Sequence, residues 1–402
     1  MKLALLLALA AGLLPLALAG GCSKSAGGAP SDDADAAEAG YQPPPLTLPA
    51  FVTDAKILVM GHDVTNDDCR TGICRHNENV DMTTFRGAIF LVHRTAESQV
   101  LGPNSSLHVY RSDDAGKTFV EQARIEAPAD RDLRDPSFFE VNGELRVKAL
   151  TRLPVVSDRD SNVDTTTVVS TSKDGKTWSP LAPIAPGGWS FWRVKEHQGV
   201  YYSAAYQDGD KSVALYTSKD GATWTAGPQV YGVAEDTPLE TELTFMPDGH
   251  LLALVRMDGI AKELLGDEGR LRTKICWASP PAYDAFACPD EFGGQRLDGP
   301  LTFWNESRLF VIARKHLQGA GKKRTSLFEI SGDFAGGKLA IKEWGELPSA
   351  GDTSYAGIAP LGGGRFVTTW YSGDLAKDGP WILEMLDLTD IWQATLDLNL
   401  LK

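Results

Sequence analysis

The stretch TSKDGKTWS, Thr171–Ser179, returns almost letter for letter as TSKDGATWT at Thr217–Thr225. In each copy an Asp (Asp174, Asp220) is placed to accept bonds from nearby backbone N–H groups, a Gly (Gly175, Gly221) is free to take a positive φ, and a Trp (Trp178, Trp224) has a large ring to bury. That is the composition of a pinned hairpin turn. A third copy, SDDAGKTF, stands at Ser112–Phe119, and each copy follows a short alternating or β-branched run: LHVYR, TTVVST and VALYTS. The copies begin at Ser112, Ser172 and Ser218, 60 and 46 residues apart. Hairpins preceded by strands at that spacing predict radial repetition of four-stranded sheets, a propeller. Weaker echoes at CWASPPAYDAF near Ser279, FEISGDFAGGKL near Ser331 and LEMLDLTDIW near Asp387 bring the turns to six. With helical periodicity nearly absent, the expected fold is all-β: a six-bladed β-propeller of four-stranded antiparallel sheets over residues 51–402.

The ends and the bulk composition narrow the setting. The chain has 402 residues, a formal net charge of −14 and no Lys/Arg-rich run, so it lacks the electrostatic footprint that nucleic-acid binding requires. Residues 1–21, MKLALLLALAAGLLPLALAGG, have one Lys, a Leu/Ala run interrupted by Pro15 and small residues before Cys22, the pattern of a secretory signal rather than a membrane span. Small residues directly before a Cys resemble a bacterial lipoprotein signal, which implies lipidation of Cys22 and anchoring in the cell envelope. Residues 22–50 are rich in Gly, Ala, Ser, Asp and Pro and are expected to form a disordered tether. In an exported chain, the pairs Cys69 with Cys74 and Cys276 with Cys288 are expected to be disulfides.

A propeller converges polar groups at one mouth of its central channel. The candidates there are His76, Asn77, Asp81, His93 and Arg94 in the first blade, Arg134 and Asp135 in LRDP, and Trp192 and Arg193 in WSFWRV. Glu240, Glu242 and Arg256 follow in PLETELTFMPDGHLLALVR, then Arg314, Asp352 and Tyr355. Converging guanidinium groups suit an anion held by bidentate bonds, so an anionic glycan is the expected ligand. Pro136 is expected to keep Asp135 extended. His76 and His93 are candidates for a general acid. No His pair has metal-binding helical spacing and no His-Glu-x-x-His occurs, so neither a metal nor another cofactor is expected.

The three turns resemble the Asp-box of the sialidase superfamily, where the motif is structural and lies on the blade periphery. LETELTFMPDGHLLALVR and GDTSYAGI are similar to sialidase segments carrying a Glu, a carboxylate-clamping Arg and a Tyr. The resemblance implies a retaining glycoside hydrolase with Tyr355 as nucleophile, Glu240 as its base, Asp135 orienting the catalytic groups, and arginines including Arg256 and Arg314 gripping substrate. The chain departs from the family in lacking the Arg-Ile-Pro segment, and the loop after Arg94 supplies Glu97 but no Asp. Short segments in common order place it nearest exported bacterial sialidase-like lipoproteins without an assigned substrate. The alternative is a non-catalytic propeller that binds glycan or an envelope partner.

Overall fold

The computed structural model describes residues 41–100, 102–153, 165–207, 211–258, 272–289, 295–317, 321–334 and 338–402. Cys22 and the signal segment lie outside them. Six small antiparallel sheets, each a meander of about four strands, follow one another along the chain. Their innermost strands are His76–Phe85, Asp132–Val141, Ser190–Phe191, Pro238–Phe245, Asp298–Asn305 and Thr353–Gly362, and we number blades 1 to 6 from them. In blade 3 the inner edge is split, with Ser190–Phe191 and Lys195–His197 both pairing with Val200–Gln207. The fold is the six-bladed propeller expected from the repeats.

The echo near Asp387 is not a sixth outer hairpin. Blade 6 takes its outermost strand, Val52–Val59, from the start of the propeller; it pairs antiparallel with Asp390–Asp397. Building one sheet from both ends of the chain fastens the ring shut through the ladder between Val52–Val59 and Asp390–Asp397. The segment around Asp387 instead follows a short helical turn, Trp381–Glu384. Residues 41–50, expected as tether, dock on the propeller: the Tyr41 ring stacks on His62 at 3.4 Å, its hydroxyl donates to Asp374 Oδ1 at 3.0 Å, and Leu46 and Leu48 pack against the blade 5–blade 6 core. Both disulfides, Cys69–Cys74 and Cys276–Cys288, are formed.

Strand faces are apolar because each blade is covered on both sides by its neighbours, and the hydrophobic clusters accordingly straddle blade pairs. Phe85, Phe90 and Val92 of blade 1 pack with Leu133, Phe138 and Val147 of blade 2. The pinned turns act at these same seams. In the second copy, Ser172 Oγ accepts from Gly175 N, and Asp174 Oδ1 accepts from the backbone N–H groups of Lys176 and Thr177, all at 2.8 Å. Ser218 and Asp220 repeat the pattern, and Ser112 with Asp114 gives a close variant. Backbone donors hold the Asp174 and Asp220 carboxyls down at about 2.

All three turns join the third and fourth strands of a blade, and the glycine of each lies against the preceding blade. A Cβ on Gly175 would sit 2.4 Å from the Phe90 ring, and one on Gly221 2.7 Å from Val141. Gly175→Ala therefore combines a positive-φ penalty (φ 74°) with displacement of a buried ring. Urea unfolding should show a loss of roughly 2–3 kcal/mol. Gly143→Ala, at φ 78° with open space around the site, should lose only about 1 kcal/mol.

His93 is no general acid. It pairs across strands with His108, both imidazoles fully buried, and the two rings stack with the partly buried Tyr110 in blade 1. Burial, reinforced by mutual repulsion for His93 and by Arg124 for His108, lowers both imidazoles to about 3. In the unfolded chain both titrate near 6.5, so the unfolded state takes up protons first as pH falls. Stability should drop between pH 6.5 and 5.5 by about 1–2 kcal/mol in total, each ring contributing at most about 1.4 kcal/mol per pH unit. Denaturant titrations of wild type and His108→Leu check this; the variant should show a shallower slope.

Candidate active site

Five of the six inner strands bulge at the same level. Their registers slip between Glu78 and Asp81, Arg134 and Ser137, Pro238 and Thr241, Asp298 and Leu301, and Ser354 and Gly357. Blade 3 breaks there instead, between Phe191 and Lys195. The residues inside these irregularities include Asn79, Asp135, Trp192 with Arg193, Glu240, Gly299 and Tyr355, one position per blade. A bulge re-aims a side chain that a regular strand would send to the blade face. Asn79 (φ 55°), Asp135 (φ 48°) and Tyr355 (φ 50°) all hold left-handed backbone, a strained choice for non-glycine residues that clusters at functional sites. Asp135 is thus not extended as Pro136 suggested; the bulge overrides the local preference.

Tyr355 is the centre of the site. Its hydroxyl donates to Glu240 Oε1 at 2.7 Å and accepts from Arg256 Nη1 at 2.7 Å, and Arg256 also pairs with the other Glu240 oxygen. The Arg314 guanidinium lies 5.2 Å from the Tyr355 ring centre, and Trp192 meets that ring edge-on at 5.8 Å. Burial raises the Glu240 carboxyl above its ordinary range, against the pull of Arg256 and with help from the charge of Asp135. Burial likewise pushes the Tyr355 phenol up, opposed by Arg256. A carboxylate already bonded to the phenol proton, with a guanidinium on the phenol oxygen, is an arrangement that can deprotonate Tyr355 in place.

Beside this triad a cavity of about 10 Å3 is lined by Asn79, Asp135, Lys148, Trp192, Arg193 and Tyr355. The Asn79 amide donates to the Asp135 carboxylate, and Lys148 Nζ donates to the Asp135 and Phe191 carbonyls at 2.9 Å. Burial lowers the Lys148 ammonium to about 8.

Arg193 does different work from that expected. From blade 3 it crosses the axis, donating to Pro300 O of blade 5 at 3.0 Å and Ala356 O of blade 6 at 2.9 Å. It also lies 3.4 Å from Asp81 of blade 1, whose other oxygen accepts from Phe138 N, and 3.7 Å from Glu242 of blade 4. Arg193 and Asp81 therefore tie blades together as the floor of the site.

Arg94, Arg256 and Arg314 stand on second strands, reaching over the inner ones. Arg94 is fully buried: it donates to both oxygens of Asp132 at 2.9 and 3.0 Å and to Glu78 Oε1 at 2.5 Å. With its donors spent inside the protein, Arg94 does not reach the channel. Arg134 shares those carboxylates, 3.2 Å from Asp132 and 3.4 Å from Glu78. Arg314 donates to Thr353 O, to Tyr371 OH and to Asp352 Oδ1 at 2.7, 2.7 and 3.1 Å, so Asp352 is a partner of Arg314 rather than a free ligand group. His76 is buried, its Nδ1 2.7 Å from Asp387 O. Trp370 stacks on Trp392 in the core. Sequence reasoning missed Glu78, Asn79, Asp132, Lys148 and Tyr371. The available signal was the run HNENVD, polar on both faces of a strand that enclosing blades should make apolar.

These features define a six-bladed propeller with a Tyr–Glu–Arg centre at one end of its channel. No family model matches the chain, and no curated protein does. Among solved structures it is similar in fold to a protein of unknown function from Dyadobacter fermentans (15% identity, TM-score 0.62, covering 87% of this chain and 99% of that one). It is also similar to the NanB sialidase of Streptococcus pneumoniae (11% identity, TM-score 0.62, 88% and 71%) and to the α-L-arabinanase of Penicillium chrysogenum (15% identity, TM-score 0.56, 87% and 99%). At these identities the likeness establishes the fold alone.

Proposed function

We propose that the protein is an exported glycoside hydrolase of sialidase-like fold, anchored through a lipid on Cys22, which cleaves a glycan with retention by a Tyr355-linked intermediate. The single observation behind this reading is the Tyr355 hydroxyl, bonded at 2.7 Å to both Glu240 and Arg256. Glu240 takes the phenol proton as Tyr355 attacks the anomeric carbon, and Arg256 stabilises the phenolate as it forms. In this reading Asp135, half-buried and lining the cavity beside Tyr355, protonates the leaving oxygen and then activates water. The propeller neighbours include a sialidase and an arabinanase, which supports glycan as the ligand.

The guanidinium pairing bears on the sugar. An anionic group would have to displace Glu240 or Tyr355 from Arg256, or Asp352 from Arg314, whereas a neutral ring leaves those pairs intact; this favours a neutral sugar at the reacting position. The test is a panel of neutral and acidic 2-fluoroglycosides with good leaving groups, followed by peptide mass analysis. A glycosyl adduct on the peptide containing Tyr355 supports the mechanism, and turnover without an adduct on Tyr355 refutes it. Tyr355 and Glu240 are only 6% and 7% exposed, a burial that favours one other reading, a glycan-binding propeller without turnover, which glycan binding with no cleavage across the panel would establish.

A further inference from the structure

Behind Tyr371 and Arg314, which pack on the Tyr355 ring, three buried ligand-type atoms face one another without hydrogen-bond partners at the seam where blade 1 meets blade 6. His76 Nε2, Glu78 Oε2 and Asp352 Oδ2 all belong to fully buried residues, none has a hydrogen bond, and the ligand atoms of the three lie within 4.8 Å of one another. The nearest approach, His76 Nε2 to Glu78 Oε2, is 3.5 Å. With His76 in its neutral form, three convergent lone pairs have no donor among them and are costly to bury. They need something positive between them.

The other half of each side chain is fixed so that these atoms point inward. His76 Nδ1 lies 2.7 Å from Asp387 O and donates to it, so in the neutral imidazole Nε2 is the lone pair that faces the carboxylates. Glu78 gives Oε1 to Arg94 at 2.5 Å and keeps Oε2 free. Asp352 gives Oδ1 to Arg314 and to Tyr371 OH, both at 3.1 Å, and keeps Oδ2 free. An imidazole whose far nitrogen donates to a carbonyl, and carboxylates whose far oxygens are themselves bonded, form the outer shell characteristic of metal ligands.

We propose that His76, Glu78 and Asp352 form a binding site for a divalent zinc ion that staples blade 1 to blade 6. One imidazole nitrogen and two carboxylate oxygens suit Zn2+ better than Ca2+, which takes six to eight oxygens, and the 3.5 Å between His76 and Glu78 is close to the roughly 3.4 Å between tetrahedral ligands on bonds of about 2.0–2.2 Å. Imidazole in the set also argues against Mg2+. The guanidinium groups of Arg94, Arg134 and Arg314 offset the charges of Glu78, Asp132 and Asp352 nearby, so affinity rests on the coordinate bonds rather than on the surrounding field. Because the site is enclosed, the ion enters during folding. The staple lies beside the other ties of this seam, where Asn77 and Thr389 exchange bonds at 2.8 and 2.6 Å.

The full chain, produced in medium supplemented with Zn2+, Ca2+ and Mg2+, should retain about one zinc per molecule after extensive dialysis, read by elemental mass spectrometry. His76→Gln and Asp352→Asn should each lower that content at least tenfold, and Tyr371→Phe should weaken retention about tenfold through the outer shell. Should the ligand variants fail to fold, X-ray absorption at the zinc edge of the wild-type protein still decides: a shell of one imidazole with oxygen neighbours supports the site. Less than about a tenth of an equivalent of zinc, calcium or magnesium in its place, a shell lacking imidazole, or a His76→Gln protein as zinc-rich as wild type would each overturn it.

Discussion

Tyr355→Phe should leave the propeller folded and reduce glycoside hydrolysis by at least about 10^3-fold, the scale of losing a nucleophile whose neighbours cannot substitute for it. The substitution removes one oxygen. Glu240 and Arg256 keep each other as partners, so no buried charge is stranded, and the ring keeps its packing against Trp192 and Tyr371. Thermal unfolding should therefore change little while turnover collapses. Glu240→Gln offers the complementary test: the phenol loses its base but not its position, so the rate should fall by about 10^2–10^4-fold. Undiminished hydrolysis by the Tyr355→Phe protein on the best substrate of the panel removes Tyr355 from the mechanism.

Arg94→Met should be the most damaging single change to stability, costing about 3–5 kcal/mol in denaturant unfolding. The substitution takes the closer of two guanidinium groups from Glu78 and Asp132, both fully buried, and leaves two carboxylates to Arg134 alone. Burial alone would raise the Glu78 carboxyl; Arg94 and then Arg134 outweigh it and hold it at about 2. Replacing Arg94 by Met and Asp132 by Asn together should recover part of the loss, because Glu78 and Arg134 remain to pair with each other and the cost comes from unpaired buried charge more than from the ion pair itself. A substrate-gripping Arg94 predicts the opposite result, a stable protein with a raised KM.

The repeated turn made the fold legible because its constraint is local. Ser, Asp and Gly within four residues fix the same bonds wherever the sequence recurs, and three copies between Ser112 and Trp224 suffice to announce sheets in series. The resemblance-based pairing of Tyr355 with Glu240 also came together in space. The arginines were harder to read. Arg94, Arg134, Arg193 and Arg314 are all found at strand positions near the channel, yet their partners are Glu78, Asp132, Pro300 O and Asp352. No sequence spacing distinguishes a guanidinium that waits for a ligand from one already satisfied by another blade.

The sequence by itself determined the all-β meander, the outer turns and the two short-range disulfides, since each depends on residues close along the chain. Tertiary structure alone decided that Val52–Val59 completes the last blade, that aligned bulges turn Asn79, Asp135, Glu240 and Tyr355 toward one axis, and that Arg193 ties blades instead of binding a ligand. Those outcomes depend on register and on contacts between strands from opposite ends of the chain. They arise only when ring closure brings those strands together and burial obliges every charge to find a partner.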